Sequence, residues 1–558
     1  MTTTAAGTAA RPGGWLGRRI KRSEDPRLLT GRARYVDDVD LPEMLHAAVL
    51  RSPHPHARIR SIDTSPALAM PGVEAVLTSA GIAEMGLGEL PNIWVQPGQK
   101  NLANPLLARD KVRYVGEAVA IVAAADRALA ETALDEVLVD YEELEANVDP
   151  LAALREDAPL LHEEWGDNVV VRLSRSGGDV AAAFADADVV IRRRLVSHRY
   201  TGVPLETRGI VARVEPEGNL TLWMSTQVVH HARDVLARVL NWPEHRLRVV
   251  ALDVGGGFGP KDHAYAEDAL VAALSIRTRR PVKWIEDRRE HFLSTVHARE
   301  QVHDVELAAT RTGEITGLRD RIVSNVGAYC SNVGVGPGSI TADLLPGPYR
   351  IANYEAEMLG VVTNKVPAGA YRGFGMTQAT FVLERMVELL ARELSLDPVE
   401  IRLRNLISSD ELPYVTPTGF TYDSGDYREA LLRALENVGY EGWRTSQEEC
   451  RRRGRYIGIG IATYVELASF TSSKRLGQMG FAIGTYDNAV VRMDPQGRVL
   501  LYTAISSQGQ SHETTFAQVC ANELGIEPSD VTVIQGDTSV CPYAPAGAIA
   551  SRGGSVAA

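Results

Sequence analysis

Four polar or glycine-rich loops each stand between a strand-like and a helix-like segment, and this arrangement limits the fold more than any other feature of the sequence. They are STQ (225–227), GGGFGPKD (255–262), AYRGFGMTQ (370–378) and SSQGQSHET (506–514), and a fifth such loop, AGAIASRGGS (546–555), lies near the end. In α/β units these junctions gather at one edge of a sheet, where ligands bind. The pattern predicts an α/β (α+β) fold in which distant loops share one cleft.

The stretch DVGGGFGPKD (253–262) begins where the strand-like run LRVVALDV (247–254) ends. Consecutive glycines remove every Cβ, so a phosphate or another anion can approach the backbone N–H groups. A tight strand-to-helix turn without a ligand is the alternative. Nucleotide fingerprints fail here, because Pro260 replaces a required glycine and Lys261-Asp262 replaces Lys-Ser/Thr. A nicotinamide dehydrogenase is therefore disfavoured.

Hydrophobic patterning divides the chain into successive units. LHAAVL (45–50) and EAVAIVAA (117–124) read as strands, and TFVLERMVELLARELSL (380–396) reads as an amphipathic helix. We predict a disordered tail at 1–19, a small α/β domain at 20–148, a connector at 149–178, a first large lobe at 179–425 and a second lobe at 426–558. The second lobe stops on a Gly/Ser loop, and we expect another segment or chain to complete it.

Bulk composition narrows the possible partners. The net charge of −12 comes from interspersed acidic and basic residues, which argues against nucleic acid. No run approaches about 20 apolar residues, and no secretory signal is recognisable, so we expect a cytoplasmic protein without a membrane contact. The four cysteines form no C-x-x-C pair, which disfavours zinc and iron–sulfur sites and predicts reduced thiols.

Several motifs together resemble one family. They are EDPRLLTGRARYVDDVDLPEMLHAAVLRSPHPHARI (24–59), PLETRGIVA (204–212), STQ, VGGGFGPK, AYRGFG and GQSHETTFAQ. In this order they resemble the large, molybdenum-binding subunit of the xanthine dehydrogenase / aldehyde oxidase / carbon monoxide dehydrogenase family, the molybdenum hydroxylases. The resemblance implies a small hammerhead-like N-terminal domain followed by a two-lobed molybdopterin-binding region.

The resemblance also implies a cofactor and its contacts. In the family the metal is held by the dithiolene of a pterin, without a side-chain ligand, and we expect the cytosine dinucleotide form. Gln227 matches a glutamine that hydrogen-bonds a molybdenum oxo ligand. The residues expected around the metal, the pterin and its phosphates are Gln227, Gly257, Phe258, Gly259, Arg372, Gln508, Gly509, Gln510, His512, Ser551 and Arg552.

On the substrate side, Arg372 matches an arginine that in purine-oxidising relatives positions substrate and stabilises negative charge, with Gln227 as the second catalytic residue. A surface or phosphate-binding arginine is the alternative. Asp262 and Phe374 are candidate substrate contacts, although Asp262 has a shorter side chain than the family's glutamate and could instead be a helix N-cap. The pairs His54/His56 and His230/His231 are expected to be structural or exposed.

The implied activity is hydroxylation of a C–H bond in an N-heteroaromatic compound or an aldehyde, with oxygen derived from water. We expect separate FAD-binding and 2Fe–2S subunits in a heteromeric complex that can dimerise. The family's catalytic base is a glutamate in a G-x-G-E loop, which does not occur in these 558 residues. The alternative is therefore a split, non-catalytic cofactor-binding or assembly subunit. Carbon monoxide oxidation is disfavoured, because Gly373-Phe374 replace the family's copper-binding Cys-Ser.

Overall fold

The computed structural model describes residues 14–100, 104–469 and 472–555, and within them the chain forms a mixed α/β structure with five sheets. The strands are β1 (Leu45–Arg51), β2 (Ala57–Asp63), β3 (Val73–Thr78), β4 (Lys111–Val112), β5 (Ala118–Ala124), β6 (Leu138–Glu143), β7 (Val169–Gly177), β8 (Val189–Ser197), β9 (Gly209–Val214), β10 (Leu220–Met224), β11 (Leu247–Val250), β12 (Val282–Ile285), β13 (Gln301–Ala309), β14 (Ile315–Gly327), β15 (Asn353–Val362), β16 (Tyr414–Val415), β17 (Thr421–Tyr422), β18 (Ala489–Met493), β19 (Val499–Thr503) and β20 (Val531–Ile534).

The helices connect these strands and cover the sheets. They are α1 (Asp25–Leu29), α2 (Ser65–Ala69), α3 (Ser79–Glu84), α4 (Arg127–Leu134), α5 (Val180–Ala185), α6 (Val229–Val239), α7 (Ala266–Thr278), α8 (Arg288–Ser294), α9 (Gly336–Leu344), α10 (Met376–Leu394), α11 (Pro398–Asn405), α12 (Tyr427–Val438), α13 (Tyr440–Arg452), α14 (Ser473–Gln478), α15 (His512–Leu524) and α16 (Arg552–Ser555).

The largest sheet has seven strands in the order β11-β10-β9-β12-β1-β5-β3. Strand β1 pairs in parallel with β12 and antiparallel with β5. All seven residues of β5, AVAIVAA, are buried, as expected for a strand covered on both faces. Strands of the predicted domain 20–148 thus continue the sheet of the next unit, and one hydrophobic core extends across that boundary.

The second sheet has the order β7-β15-β14-β13-β8, and helices α9 and α10 pack against it. Its edge strand β7 lies within residues 149–178, which were predicted to be a connector. For residues 169–177 that prediction is wrong. Val171 and Leu173 are buried while Arg172 and Ser174 are exposed, and this period of two places the segment at the edge of the sheet.

The last lobe contains the sheet β18-β19-β20, with α15 packed on β20. The N-terminal segment also reaches this lobe. The Trp15 indole Nε1 donates to the Ile526 carbonyl at 2.9 Å, and the Gln518 amide donates to the Trp15 carbonyl at 2.6 Å. Residues 14–19 of the predicted disordered tail are therefore packed, because the indole covers apolar surface while its N–H is paired. Residues 1–13 of that prediction lie outside the described residues.

Two further properties follow from the described residues. Within 14–100, 104–469 and 472–555, no helix is both long and apolar enough to cross a membrane. The four cysteines are thiols and not disulfides, as the sequence predicted. Complete burial raises the pKa of the Cys330 thiol to about 12, so this side chain stays protonated and unreactive.

Helix α10 gives a test of the core. Leu390 is completely buried, whereas Phe381 on the opposite face is 44% exposed. L390A is expected to destabilise the protein by about 2–5 kcal/mol, because it removes buried methyl groups and leaves a cavity. The matched change F381A should cost at most about 0.5 kcal/mol. Thermal unfolding followed by circular dichroism compares the two variants, and equal effects would contradict this packing.

Candidate functional site

A cavity of about 1060 Å³ lies where the five loops meet. Its wall combines residues from the STQ loop, the glycine loop, the AYRGFG loop and the two loops of the last lobe. Every site residue singled out from the sequence lines this cavity: Gln227, Gly257, Phe258, Gly259, Asp262, Arg372, Phe374, Gln508, Gly509, Gln510, His512, Ser551 and Arg552. The convergence of the loops is thus observed, while the role of each residue stays a prediction.

Gln227 is held by contacts on both sides of the cavity. Its side-chain Oε1 accepts the Gly259 N–H at 2.8 Å, and its Nε2 donates to the Ala548 carbonyl at 3.0 Å. The Gln227 backbone N–H donates to the Lys261 carbonyl at 2.9 Å. A primary amide carries two N–H groups, so one remains for a ligand. The side chain is therefore fixed in orientation before any ligand arrives.

Close packing within the protein leaves no room for a Cβ atom at the glycines of 255–259. A Cβ on Gly257 would lie 2.5 Å from Gln227 Oε1, and a Cβ on Gly259 would lie 2.7 Å from the Ala370 carbonyl oxygen. Gly259 also has a φ of +107°, which side chains with a Cβ rarely adopt. Phe258 has a φ of 59° and leaves 45% of its surface exposed. The loop therefore fits closely around Gln227 and presents one aromatic ring in the cavity wall.

Arg372 lies on the AYRGFG loop, which is anchored to the glycine loop by its backbone. The Arg372 N–H donates to the Phe258 carbonyl at 2.8 Å, and Arg299 donates to the Arg372 carbonyl. Arg372 is exposed, and its guanidinium has no ion pair or hydrogen bond with the part of the chain that the structure describes. A fixed backbone with an unpaired cation gives the cavity a positive group that a substrate or cofactor can use.

Asp262 lies in the cavity wall with 9% of its surface exposed. Its Oδ1 is 2.8 Å from His263 Nε2. Helix α7 begins at Ala266 with Tyr265 as its N-cap, so the alternative that Asp262 caps this helix is wrong. The turn between Pro260 and the helix carries Asp262 away from the helix end and towards the cavity.

The histidines separate into two groups. His231 lines the cavity, and burial lowers its pKa to about 4, so the ring is neutral at pH 7. The pair His230/His231 was expected to be structural or exposed, and the position of His231 in the cavity wall was not predicted. His54, His56 and His230 do not line the cavity. His56, for example, is a buried residue whose Nδ1 contacts the Glu145 carbonyl at 2.6 Å, which is a structural role.

The loops of the last lobe supply polar groups. Gln508 Nε2 donates to the Ser506 carbonyl at 2.7 Å, and Gln510 Nε2 donates to Gln508 Oε1 at 2.7 Å. Arg552 is 1% exposed and pairs with Asp487 through Nη2. Its Nε and Nη1 are buried and have no partner among the described residues. Buried donors of this kind are costly unless a ligand pairs them.

An apolar wall at one end of the cavity was not recognised in the sequence. Trp94 is 1% exposed and stacks on Phe374 with ring centroids 5.9 Å apart and an interplanar angle of 13°. Phe481 meets Trp94 edge to face at 5.3 Å. The other apolar members are Ile93, Val333, Ile340, Ala370, Met376, Leu467 and Ile483. Of these residues only Phe374 was predicted as a contact, and the others come from separate segments without a shared motif, so only the fold reveals the wall.

The N-terminal segment closes another side of the cavity. Arg27 contacts Asp253 at 2.5 Å, next to the glycine loop, and Glu513 at 2.9 Å, on α15. Arg27 is 37% exposed, so these ion pairs contribute little stability on their own. They do connect the two walls of the cavity through one guanidinium. The quoted motif 24–59 was the only sequence signal for this segment.

The close fit of Gly257 against Gln227 gives a direct test. G257A is expected to displace the Gln227 side chain, break at least one of its hydrogen bonds and cost about 1–3 kcal/mol, because a buried polar group loses its partner. Gly442 in α13 has no atom within 4 Å of an added Cβ, so G442A is the matched control and should be neutral or stabilising. Thermal unfolding measures both, and a neutral G257A would contradict the geometry.

Comparison with known proteins identifies the parts of this structure. A family profile described as "Molybdopterin cofactor-binding domain" matches residues 161–406, and a second profile with that description matches 433–558. A profile described as "Aldehyde oxidase and xanthine dehydrogenase, a/b hammerhead domain" matches residues 30–145. The profiles thus follow the cavity-forming lobes and the small N-terminal unit, although the predicted domain boundaries themselves stay a prediction.

Individual relatives agree with the profiles. The chain is 39% identical over 546 residues to the nicotine 6-hydroxylase large subunit of Paenarthrobacter nicotinovorans, covering 97% of this chain and 66% of that one. It is 38% identical over 541 residues to the carbon monoxide dehydrogenase large chain of Hydrogenophaga pseudoflava, covering 93% and 66%. The chain therefore spans about two thirds of the length of these curated relatives.

A solved structure gives the same result for the fold. The quinoline 2-oxidoreductase of Pseudomonas putida 86 superposes with a TM-score of 0.93 at 39% identity, covering 98% of this chain and 69% of that one. Among the described residues, no group of three or more His, Cys, Asp or Glu side chains could hold a metal ion directly. The sequence motifs, the profiles and the superposed fold agree, and this chain belongs to the family of molybdenum-binding large subunits of the molybdenum hydroxylases.

Proposed function

We propose that the cavity binds a molybdenum–molybdopterin cofactor in its cytosine dinucleotide form. We further propose that the complete protein hydroxylates a C–H bond of an N-heteroaromatic compound with oxygen derived from water. The observation that carries this proposal is the convergence of all the predicted site residues, from five distant loops, on one cavity. Family membership supplies the cofactor class, and the geometry of the wall supplies the reasons below.

The chemistry of the wall fits such a cofactor. Its polar groups are amide N–H donors, glutamine side chains and a buried arginine with two unpaired donors, which suit a large, phosphorylated, hydrogen-bonding molecule. The wall offers no cluster of metal-ligating side chains among the described residues, and a metal held through a pterin needs none. When bound, the cofactor accepts two electrons from the substrate and delivers oxygen that comes from water.

The residues of this chain then have distinct tasks. Gln227 presents its remaining amide N–H at a fixed position, because two hydrogen bonds hold the side chain. Phe258 keeps water from one side of the reaction site with its ring. The Arg372 guanidinium, unpaired in the described structure, stabilises negative charge that develops on a substrate ring during attack. Arg552 binds a cofactor phosphate with its unpaired Nε and Nη1.

The apolar wall favours a flat aromatic substrate over an aldehyde or carbon monoxide. Phe374 presents its ring to the cavity, with Trp94 stacked on it and Phe481 packed against Trp94, and this aromatic wall suits a planar ring. Nicotine 6-hydroxylase and quinoline 2-oxidoreductase, which are named for heteroaromatic substrates, are among the relatives. Carbon monoxide oxidation is disfavoured although a carbon monoxide dehydrogenase is also a relative, because Gly373 offers no thiol for copper.

Electron transfer requires partners. We propose separate FAD-binding and 2Fe–2S subunits in a cytoplasmic heteromeric complex, since the relatives are named as a large subunit and a large chain. We also propose that the glutamate base of a G-x-G-E loop is supplied by a further segment or by another chain. The competing proposal is a non-catalytic cofactor-binding or assembly subunit. Turnover by the purified complete complex separates the two.

The test is purification of this protein together with its partner subunits, followed by metal analysis and substrate screening. We expect about one molybdenum per chain, release of CMP on acid hydrolysis, and dye-linked oxidation of quinoline or nicotinate-type rings. Aldehydes and carbon monoxide serve as the competing substrates. Absence of molybdenum and pterin would contradict the cofactor assignment, and cofactor without turnover of any substrate would favour the non-catalytic alternative.

Arg372 gives a residue-level test of the same proposal. R372K keeps the positive charge but loses the planar fork, and we expect kcat/KM to fall by about 10²–10³-fold, as for loss of one group that stabilises transition-state charge. The control R385K changes an exposed arginine on α10 that does not line the cavity. Molybdenum content should be unchanged in both variants. Wild-type kinetics in R372K would show that Arg372 has no role in the reaction.

A further inference from the structure

One carboxylate outside the cavity lining connects the loops that form it. Glu206, in the PLETRG segment, accepts three hydrogen bonds on a single oxygen, Oε2. The donors are the Ser225 hydroxyl at 2.7 Å, the Gly255 N–H at 2.8 Å and the Lys261 ammonium at 2.9 Å. Ser225 opens the STQ loop, while Gly255 and Lys261 stand at the two ends of the glycine loop. A single side chain therefore ties both loops at their ends.

The ion pair within this cluster is buried. The Lys261 side chain is completely buried, and that of Glu206 is 15% exposed. Burial lowers the pKa of the Lys261 ammonium, and the negative charge of Glu206 opposes this shift. A buried ammonium that loses its carboxylate is left with an uncompensated charge, which destabilises its surroundings strongly. The position of Lys261 thus depends on Glu206.

The cluster reaches the site residues through the backbone. The Lys261 carbonyl accepts the Gln227 N–H at 2.9 Å and the Thr226 hydroxyl at 3.3 Å. Glu206 also donates its own N–H to the Gly255 carbonyl at 3.1 Å. A Cβ on Gly255 would lie 2.5 Å from Glu206 Cβ, so the two segments are in close contact. Displacement of Lys261 or Gly255 would move Gln227 and Phe258 together.

We propose that Glu206 is a positioning residue, which holds the STQ loop and the glycine loop in register so that Gln227 and Phe258 meet the reacting centre. The contacts described above support the claim that Glu206 holds the two loops. Only the effect of Glu206 on the reaction rests on the proposed function. Glu206 itself touches neither the cavity nor a substrate. Its effect on the reaction is therefore expected in kcat and not in substrate binding.

The principal variant is E206Q, which keeps the size of the side chain and removes its charge. In the complete enzyme we expect kcat per bound molybdenum to fall by at least about tenfold, since small misplacement of reacting groups is costly. KM should change by less than about threefold, because substrate contacts remain. Amide hydrogen exchange at residues 225–227 and 255–261 should become at least about tenfold faster, because local opening becomes easier.

Another buried ion pair of the same kind provides the control. Glu384 accepts Arg402 at 2.9 Å, Tyr349 at 2.5 Å and Thr463 at 3.0 Å, and it does not line the cavity. We expect both E384Q and E206Q to lower the thermal unfolding midpoint, because each change leaves a buried cation without its carboxylate. E384Q should leave kcat per molybdenum and exchange in the two loops unchanged. A comparable loss of kcat in E384Q would mean that any loss of stability explains the E206Q result, and it would overturn the proposal.

Two further variants keep the proposal testable if E206Q fails to fold. S225A removes one of the three hydrogen bonds and keeps the ion pair, so it should speed exchange in the STQ loop by a smaller factor. The double variant E206Q/K261M removes the unpaired buried charge and should recover exchange protection and most of kcat. Unchanged hydrogen exchange in both E206Q and S225A would contradict the claim that Glu206 holds the two loops. Faster exchange with unchanged kcat would overturn its role in the reaction.

The same experiment separates this proposal from the proposed function. If the wild-type protein contains no molybdenum and turns over no substrate, the proposed function fails. The exchange measurements on wild type, E206Q and E384Q still decide whether Glu206 holds the loops, because they need no cofactor. If the wild type is active and only the Glu206 variants lose kcat, both proposals stand.

Discussion

The site depends on one amide side chain that connects two distant parts of the chain. Gln227 accepts the Gly259 N–H and donates to the Ala548 carbonyl, so it joins the glycine loop of the first lobe to the last lobe. The bond to Ala548 is buried and the bond to Gly259 is partly buried, so an unpaired amide at this place would be costly. The bare glycines are needed because the backbone must approach this amide closely. The Gln227 side chain therefore both connects the two lobes and sets the geometry of the site.

The buried polar groups around the cavity fall into two kinds. The Gln227 amide and the Oε2 atom of Glu206 have hydrogen-bond partners within the protein, and these bonds fix the loops. Arg552 keeps two buried donors without a partner among the described residues. The paired groups fix the positions of the loops, and the two unpaired donors of Arg552 indicate where a ligand binds. Because a bound ligand stabilises only the folded state, cofactor binding is expected to stabilise both lobes together.

The sequence predicted what local patterns encode. The strands at 45–50 and 117–124, the helix at 380–396 and the meeting of the glycine-rich loops follow from periodicity and from loop position. The sequence patterns did not predict which distant segments pair with each other. The parallel pairing of β1 with β12 joins segments more than two hundred residues apart, and no local pattern indicates that pairing. The wall around Trp94 and the cavity position of His231 were missed for the same reason.

The central claim is that the cavity holds a molybdenum cofactor beside Gln227 and the glycine loop. Crystals of the complete protein, measured on both sides of the molybdenum K edge, test it most directly. The account predicts one anomalous peak per chain inside the cavity, next to the Gln227 amide and the Phe258 ring. A peak elsewhere, or full-occupancy crystals of active protein without a molybdenum peak, would contradict it.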